Sequence, residues 1–250
     1  MHYSIIIPAR YASSRYPGKP LAMLGDKTIL QHVYERARQT RAEQVIIATD
    51  DDRIAGEARR FGAEVCMTAE SHNSGTERLA EVVDHYAFND EKVVVNLQGD
   101  EPFIAVDMID QVAALLLESH SYGMATLCHV IEDQHEITDP HIVKVVLDVN
   151  NDALYFSRAS IPWDRDQLCC LPCYRHIGLY AYTAGFLREY MKLAPCELEK
   201  AEALEQLRVL YHGRKIKVGI TAGETAIGID TPGDLEKAKR ILAANTSASR

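Results

Sequence analysis

Three cationic residues lie close together in the loop that follows the first apolar run of the sequence. They are Arg10, Arg15 and Lys19, and the same loop contains two serines, a glycine and two prolines. Cations held together in this way repel one another unless an anion lies between them. The formal net charge of the whole chain is -9, so this loop is a local exception. We therefore predict an anion site that would suit a triphosphate, in preference to a merely solvated basic loop.

The loop differs from the phosphate-binding loop of the Walker type. Gly18 and Lys19 are followed by Pro20. That motif needs a serine or threonine after the lysine and a further glycine before it, and both are missing. Phosphates would therefore be held here by cationic side chains on a loop.

Two aspartates indicate a second kind of chemistry. Asp100 closely follows an apolar run at 93–97, and Asp230 follows another short apolar segment. Open α/β sheets bind ligands at the carboxyl ends of their strands. Mg²⁺ is typically held by one or two carboxylates together with substrate phosphates, so the pair is a candidate magnesium site. The alternative is that Asp100 is a turn residue beside Gly99 and that Asp230 interacts with a helix dipole.

The elements that must position these residues alternate between strands and helices in the first half of the chain. Apolar runs predict strands at 3–9, 44–49, 63–68 and 93–97. Capping boxes at Thr28 and Ser74, and the pair Asp50 and Asp51, predict the beginnings of the intervening helices. Strands that alternate with helices at this interval indicate βαβ units. The predicted class is therefore α/β, with a doubly wound, mainly parallel sheet.

The second half of the chain has a different pattern. Two β-rich runs, 142–149 and 153–157, are joined by a short polar turn and predict a hairpin. A third extended run is predicted at 174–183. Residues 131–195 are therefore predicted to form a β-rich insertion within a single domain that covers 1–250.

Two helices are predicted near the end of the chain. The stretch 197–212 has leucines on one stripe and predicts one continuous helix. Thr231 followed by Pro232 is typical of the first residues of a helix, with the threonine as N-cap. The aspartate at position 230 is thus expected directly before the last helix.

The composition is that of an ordinary soluble globular protein, with 47% hydrophobic and 25% charged residues. The acidic balance argues against a general nucleic-acid-binding protein, which needs a broad basic surface. The longest apolar run, 112–117, is too short to cross a bilayer, and no signal peptide is evident. We therefore expect a cytoplasmic protein that binds neither nucleic acid nor a membrane.

Six cysteines raise the question of a metal or redox site. Cys170 and Cys173 have the C-x-x-C spacing, but a zinc site would need a second pair of ligands and only His176 is nearby. Reduced thiols without a metal are the interpretation that we favour, with a metal or redox site as the alternative.

A set of short motifs covers almost the whole chain. One is the segment 7–21, Ile-Pro-Ala-Arg-Tyr-Ala-Ser-Ser-Arg-Tyr-Pro-Gly-Lys-Pro-Leu, which contains all three cations. The others lie at 66–68, 74–81, 96–102, 153–159, 161–165, 175–180, 204–210 and 229–232. Together they resemble the nucleotide-sugar-forming cytidylyltransferases, in particular the family that acts on 3-deoxy-manno-octulosonate (KDO). The segment 167–172 is shorter and richer in cysteine than this resemblance leads us to expect.

The resemblance implies a nucleotide-diphospho-sugar transferase-like fold and a Mg²⁺-dependent reaction of CTP with KDO that gives CMP-KDO and pyrophosphate. It also implies a cytoplasmic homodimer, built through the β-rich insertion, that serves lipopolysaccharide biosynthesis. Arg10 and Lys19 would bind the triphosphate and stabilise the leaving pyrophosphate, while Asp100 and Asp230 would hold Mg²⁺. The residues expected at CTP are Pro8, Ala9, Arg10, Arg15, Lys19, Ser74 and Arg78.

The sugar is itself an anion, and its carboxylate needs a cationic or amide partner. The candidates for the carboxylate are Arg158, His176, Gln98 and Gln206, and those for the hydroxyl groups are Tyr180 and Glu205. Without the resemblance, His176 would be interpreted as an ordinary core or surface histidine. Gln206 would likewise be part of a packing helix.

Three other functions are compatible with parts of this pattern. A glycosyltransferase that uses nucleotide sugars usually has an Asp-x-Asp triplet, whereas Asp100 is followed by Glu101 and Pro102. A cytidylyltransferase for another sugar acid, such as sialic acid, would share the first half and differ in the sugar pocket. A non-catalytic regulator would bind CTP without releasing pyrophosphate.

Overall fold

The computed structural model describes residues 2–12, 16–72, 74–119, 121–166, 171–222 and 228–248. The chain divides into two compact units. The first unit comprises Met1–Phe88, Val94–Asp110 and Glu224–Arg250, and the second comprises Asn89–Val93 and Gln111–Gly223. The β-rich insertion predicted at 131–195 lies wholly inside the second unit. Its description as an insertion in a single domain, and its role in dimerisation, stay predictions.

Strands and helices follow one another along the chain as short, well-capped elements. The strands are β1 (Tyr3–Ala9), β2 (Met23–Leu24), β3 (Lys27–Thr28), β4 (Gln44–Thr49), β5 (Glu64–Met67), β6 (Val93–Asn96), β7 (Met124–Val130), β8 (Lys144–Leu147), β9 (Ala153–Ser157), β10 (Tyr174–Thr183) and β11 (Lys217–Ile220). The helices are α1 (Ile29–Ala37), α2 (Asp52–Arg60), α3 (Gly75–His85), α4 (Val106–Leu117), α5 (Gln134–Thr138), α6 (Ala184–Tyr190), α7 (Glu197–Glu202), α8 (Gln206–Tyr211) and α9 (Pro232–Ala248).

The sheet of the first unit has the strand order β6-β1-β4-β5. Strands β1, β4 and β5 pair in parallel. Ile5, Ile6 and Ile7 are all fully buried, and because consecutive side chains of a strand point to opposite faces, both faces of β1 are covered. This explains why the sequence of β1 is almost continuously apolar. The predicted α/β class with a mainly parallel sheet is confirmed.

Three helices of the first unit begin at capping side chains. The side chains of Thr28, Asp51 and Ser74 each accept a hydrogen bond from a backbone N–H in the first turn of α1, α2 and α3. Such caps satisfy backbone donors that have no partner within the helix. The chain therefore turns from strand to helix where the sequence predicted it, and of the pair Asp50 and Asp51 the second residue is the cap of α2.

The strand order reverses between β1 and β6, since β4 and β5 lie on one side of β1 and β6 lies on the other. Such a reversal opens a crevice at the carboxyl ends of the two strands, where open α/β sheets bind ligands. The two strand ends approach closely, because a Cβ atom on Gly99 would lie only 3.1 Å from the carbonyl oxygen of Pro8. Arg10 and Asp100 therefore follow adjacent strand ends.

The second unit contains parallel and antiparallel pairs. β7 pairs in parallel with β11 and antiparallel with β10, and the β7–β10 pairing contains a register shift between Ile177 and Tyr180. β10 also pairs with β8, and β8 and β9 form an antiparallel pair. The hairpin predicted from the runs 142–149 and 153–157 is therefore confirmed.

The single helix predicted for 197–212 is wrong. The structure has two short helices, α7 and α8, and Ala203 between them has a left-handed backbone with φ 52°. α7 buries none of its residues, whereas Leu204 and Leu207 are buried. Local helix preference is a weak determinant compared with tertiary packing, and here only the second half of the predicted helix has an apolar side to bury.

No helix in the described ranges is long and apolar enough to span a bilayer. The described cysteines are free thiols, namely Cys66, Cys128, Cys173 and Cys196. Cys169 and Cys170 lie outside the described residues, so the C-x-x-C pair stays without a structural interpretation.

Candidate active site

A lysine lies between two carboxylates at the carboxyl end of the first unit's sheet. The Nζ atom of Lys19 is 2.5 Å from Oδ2 of Asp100 and 3.2 Å from Oδ1 of Asp230. The Lys19 side chain is 12% exposed, whereas those of Asp100 and Asp230 are 28% and 45% exposed. Two aspartates from distant parts of the chain therefore converge on one ammonium group, in the arrangement that a shared cation site requires. Their role as metal ligands stays a prediction.

Backbone contacts hold these three side chains in place. Gly18, directly before Lys19, has a φ of 72°, which glycine adopts without strain, and its N–H donates to the carbonyl of Tyr11 at 2.9 Å. The N–H of Ile229 donates to the carbonyl of Asp100 at 2.9 Å. This bond joins the segment that precedes Asp230 to the segment that contains Asp100.

Glu101 is a third carboxylate in this cluster. Its Oε2 atom is buried and has no hydrogen-bond partner among the residues that the structure describes. Burial raises the pKa of Glu101 to about 8, and the negative charges of Asp100 and Asp230 act in the same direction. The positive charge of Lys19 opposes this rise. The protonated, neutral form of Glu101 therefore predominates at pH 7.

The donor set fits a divalent cation that is bound together with phosphates. Mg²⁺ usually takes one or two carboxylates from a protein and completes its octahedron with water and phosphate oxygens. Within the described ranges, no three His, Cys, Asp or Glu side chains gather as a closed metal site. One lysine neutralises only one of the two aspartates, so the pair still attracts a cation.

Arg10, the first cation of the basic loop, is exposed. Its Nη1 donates to the backbone carbonyl of His72 at 3.1 Å. His72 is hydrogen-bonded to Glu81 of α3, and the same carboxylate accepts from the N–H of Ala69 at 2.9 Å. Glu81 therefore ties the segment before α3 to the helix, and that segment orients Arg10. Arg15 lies outside the described residues.

Arg78, predicted at the nucleotide, is buried and paired in the structure. Its side chain is 0% exposed. Nη2 donates to Oδ2 of Asp50 at 2.6 Å, and Nη1 donates to the hydroxyl of Thr68. These contacts give the buried guanidinium a supporting role, while its Nε has no hydrogen-bond partner among the described residues; contact of Arg78 with CTP stays a prediction. Arg78 connects the segments that follow β4 and β5 to helix α3.

The other residues predicted at the nucleotide lie at the same edge of the sheet. Ala9 ends β1 and is buried, and Pro8 before it is partly exposed. The Ser74 hydroxyl accepts a hydrogen bond from the N–H of Glu77 at 3.2 Å as the N-cap of α3. Contact of these residues with CTP stays a prediction.

In the second unit, His176 and Tyr180 belong to a row of packed rings. The centroid of the His176 ring lies 4.9 Å from that of Phe156 and 5.4 Å from that of Tyr180. Burial lowers the pKa of His176 to about 3, and burial raises the pKa of Tyr180 well above its ordinary value. Both side chains are therefore neutral at pH 7. His176 offers a hydrogen bond and not the positive charge that a partner of the sugar carboxylate would supply.

Arg158 is held by backbone carbonyl groups. Its Nε donates to the carbonyl of Glu202 at 2.7 Å, and its Nη1 donates to the carbonyl of Pro140 at 3.1 Å. The Glu202 carboxylate in turn accepts from the Ser157 hydroxyl at 2.6 Å. Carbonyl groups orient the guanidinium without cancelling its charge. Arg158 therefore keeps the positive charge for which it was predicted as a partner of the sugar carboxylate.

Gln206 presents a buried donor with no partner in the described part of the chain. The residue is 5% exposed, and the unpartnered atom is the side-chain Nε2. An unsatisfied buried donor costs about 1–3 kcal/mol, and such a group needs an explanation. A ligand oxygen would supply one. Glu205 is the residue before α8, and Gln98 is partly exposed in the first unit; contacts of these three residues with the sugar stay predictions.

Sequence reasoning missed the site residues whose importance comes from burial or from a distant partner. Glu101 was considered only as a neighbour of Asp100, although a second carboxylate beside a predicted metal ligand was a usable signal. The pair of His72 and Glu81 could have been noticed because Glu81 lies within the capped helix α3. Thr126, which contacts His176, carries no local signal of its role.

Comparison with known proteins first defines the class. Residues 4–216 match a family model described as Cytidylyltransferase. The solved structure of CMP:2-keto-3-deoxy-manno-octonic acid synthetase complexed with CTP is similar with a TM-score of 0.91. It is 41% identical in sequence, and the match covers 97% of this chain and 99% of that chain.

Named relatives match over nearly their full length. The 3-deoxy-manno-octulosonate cytidylyltransferase of Haemophilus influenzae (strain 86-028NP) is 51% identical, over 98% of this chain and 100% of its own. The protein of the same name from Vibrio cholerae serotype O1 (strain M66-2) is 52% identical, over 97% of this chain and 98% of its own. The chain therefore belongs to the cytidylyltransferases and, among them, to the 3-deoxy-manno-octulosonate cytidylyltransferase family. The resemblance inferred from the sequence motifs is confirmed.

Proposed function

We propose that this protein transfers CMP from CTP to KDO, giving CMP-KDO and pyrophosphate for lipopolysaccharide biosynthesis. The observation that carries the proposal is the convergence of Lys19, Asp100 and Asp230 beside the exposed Arg10 loop, in a chain of this family. The relatives bear the name of this activity, and the solved neighbour is complexed with CTP.

The reaction is a displacement at the α-phosphorus of CTP. The anomeric hydroxyl of the sugar attacks in line and pyrophosphate leaves, so the protein mainly has to position two anions and stabilise charge. Arg10 and Lys19 supply positive charge to the phosphates. Asp100 and Asp230 would hold Mg²⁺, which when bound polarises a phosphate oxygen and neutralises its charge. Lys19 keeps the two carboxylates close to one point and so prearranges them.

The groups proposed for the sugar lie mainly in the second unit. Arg158 keeps a full positive charge and is the proposed partner of the sugar carboxylate. His176 and Tyr180 are neutral and suit hydroxyl groups. The unpartnered amide of Gln206 would gain the acceptor that it lacks in the structure. Glu205 and Gln98 complete the proposed set.

The test is pyrophosphate release with Mg²⁺ from CTP, UTP or ATP, each combined with KDO or with sialic acid. CTP with KDO should support turnover, and every other combination should be far poorer. A matched Lys19→Met variant, which keeps the side-chain length and removes the charge, should lose most of the activity. Comparable kcat/KM with sialic acid would contradict the choice of sugar. Binding of CTP without pyrophosphate release from any mixture would indicate a regulator.

We also propose that the protein acts in the cytoplasm as a homodimer formed through 131–195. Large apolar side chains are exposed in this region, with Val149 at 96%, Leu154 at 59% and Trp163 at 80%. Exposed apolar side chains that gather into one patch mark a protein interface, and the proposal is that these side chains contribute to such a patch. Sedimentation equilibrium should give a dimer, and Leu154→Glu should shift it to a monomer; a wild-type monomer would contradict the proposal.

A further inference from the structure

A buried hydroxyl lies at an irregularity in the strand that carries His176. Thr126, on β7, is fully buried. Its Oγ1 atom lies 3.0 Å from Nε2 of His176, 3.0 Å from the carbonyl oxygen of Ile177 and 2.8 Å from that of Leu179. Thr126 is paired with Tyr180, at the register shift between Ile177 and Tyr180. A bulge interrupts the regular ladder, and the hydroxyl takes up the carbonyl groups that the bulge directs toward it.

The number of hydrogens available at this contact determines which nitrogen of His176 carries the proton. A hydroxyl group has one hydrogen and two lone pairs. The carbonyl oxygens of Ile177 and Leu179 can only accept, so the hydrogen of Thr126 is directed toward them. Nε2 of His176 must then donate to Thr126, since facing lone pairs at 3.0 Å would repel. A neutral imidazole has a hydrogen on only one nitrogen, so Nδ1 is the acceptor.

The Nδ1 edge of His176 is available to a ligand. Among the described residues, Nε2 is the only nitrogen of this ring that has a hydrogen-bond partner. Nδ1 has none there, and it is not a buried unpartnered atom. The ring packs between Phe156 and Tyr180, and burial keeps it neutral by lowering its pKa to about 3. A neutral acceptor of this kind accepts a hydrogen bond from an O–H group and repels a carboxylate.

We propose that Thr126 is a positioning residue whose hydroxyl fixes His176 in the Nε2–H form, so that Nδ1 accepts a hydrogen bond from a hydroxyl group of the sugar acid. Thr126 is fully buried, so it would act through His176 and not by contact with the sugar. The choice of a sugar hydroxyl as the ligand rests on the proposed function, whereas the tautomer of His176 does not.

The first experiment reads the tautomer directly in the full-length wild-type protein. Long-range ¹H–¹⁵N NMR distinguishes a protonated from an unprotonated ring nitrogen, and loss of one signal set in His176→Gln assigns His176 among the ten histidines. At neutral pH, Nε2 should show the shift of a nitrogen with a hydrogen and Nδ1 the shift of a nitrogen without one. A hydrogen on Nδ1, or on both nitrogens, would overturn the proposal.

The second experiment changes the hydroxyl. Thr126→Val keeps the shape and removes the hydroxyl, and Thr126→Ser keeps the hydroxyl. In the valine variant the His176 tautomer should become mixed and KM for KDO should rise about tenfold, the effect of one hydrogen bond, with KM for CTP and kcat nearly unchanged. The serine variant should restore both the spectrum and KM. An unchanged tautomer in the valine variant, or an equal loss in both variants, would contradict positioning by the hydroxyl.

The two experiments separate this inference from the proposed function. If wild-type protein releases no pyrophosphate with CTP and KDO, the proposed function and the sugar-hydroxyl contact fail together. The tautomer and its dependence on Thr126 are then still decided by the NMR spectra. Because the wild-type spectrum does not depend on Thr126→Val, a valine variant that fails to fold leaves the tautomer of His176 open to refutation.

Discussion

The two units hold their polar groups in opposite ways. In the first unit, the charged cluster of Lys19, Asp100 and Asp230 combines opposite charges that are partly exposed. In the second unit, the histidine cluster of Thr126, Phe156, His176 and Tyr180 is packed and neutral. The binding properties of the charged cluster depend on its charges. Those of the histidine cluster depend on which ring nitrogen of His176 carries a hydrogen.

This difference follows from the cost of burying charge. An isolated charge inside a protein is very unfavourable, and buried ionisable groups therefore become neutral or pair with a partner. Charges near the surface keep their ionic state and can exchange one partner for another, which suits the binding of phosphates and a cation. The histidine cluster should be sensitive to the loss of one hydrogen bond, and the charged cluster to the loss of one charge.

The largest effect is expected at the ion pair between the buried Arg78 and Asp50 in the first unit. Arg78→Met should lower the free energy of unfolding by about 3–5 kcal/mol, because it leaves the carboxylate of Asp50, which is only 14% exposed, without its partner. Urea unfolding measures this loss. Adding Asp50→Asn should recover part of it, and Arg10→Met, at an exposed arginine, should change stability by less than about 0.5 kcal/mol. Equal losses in the two arginine variants would contradict the buried pair.

The next effect concerns the charge at the surface of the first unit. Asp100→Asn should lower kcat/KM for CTP by about 10²-fold or more, the usual scale for losing a charge-stabilising group, and should raise the Mg²⁺ concentration needed for half-maximal rate. Adding Asp230→Asn should cost little more, because ligands of one ion act as a unit. Asp26→Asn, at an exposed position, is the control. Additive losses with an unaltered Mg²⁺ requirement would refute the shared site.

A smaller effect should appear in the pH dependence of stability, measured without divalent cations. The folded pKa of Glu101 is about 8, above the ordinary value of 4.5. Stability from its neutral form is therefore fully present below 4.5 and is lost as the pH rises through about 8. Glu101→Gln cannot ionise, so its free energy of unfolding relative to wild type should increase between about pH 4.5 and about pH 8 and level off above that range. Glu118→Gln, at an exposed position, should follow the wild type; a pH-independent difference for Glu101→Gln would contradict the raised pKa.

The smallest expected effect concerns the histidine cluster. Because the pKa of His176 is about 3, its charge should not change between about pH 5 and about pH 8. The pH profile of kcat/KM for KDO should therefore have the same shape in wild type and His176→Gln, although the values are lower in the variant. Any stability that comes from neutral His176 is present above 6.5 and is lost as the pH falls toward about 3. If the wild-type profile bends near pH 6.5 and the profile of His176→Gln does not, the result would contradict a neutral His176.

Local patterns were sufficient to predict the framework of the first unit. The apolar runs became β1, β4, β5 and β6, and Thr28 and Ser74 cap the helices that they were expected to cap. Both features depend on residues that are close in sequence. Because a strand end and a cap place the next residues at the sheet edge, the positions of Arg10 and Asp100 could be predicted as well.

The tertiary structure decided the properties that depend on distant partners. Arg78 is buried because Asp50, 28 positions away, pairs with it, and the helix predicted for 197–212 breaks at Ala203 because only its second half buries side chains. The inferred protonation of His176 depends on Thr126, 50 positions away, and on a bulge that no local pattern indicates. The sequence by itself determined which groups could do the chemistry. Burial and pairing across the fold determined their charge and the direction of their hydrogen bonds, because both depend on atoms that only folding brings together.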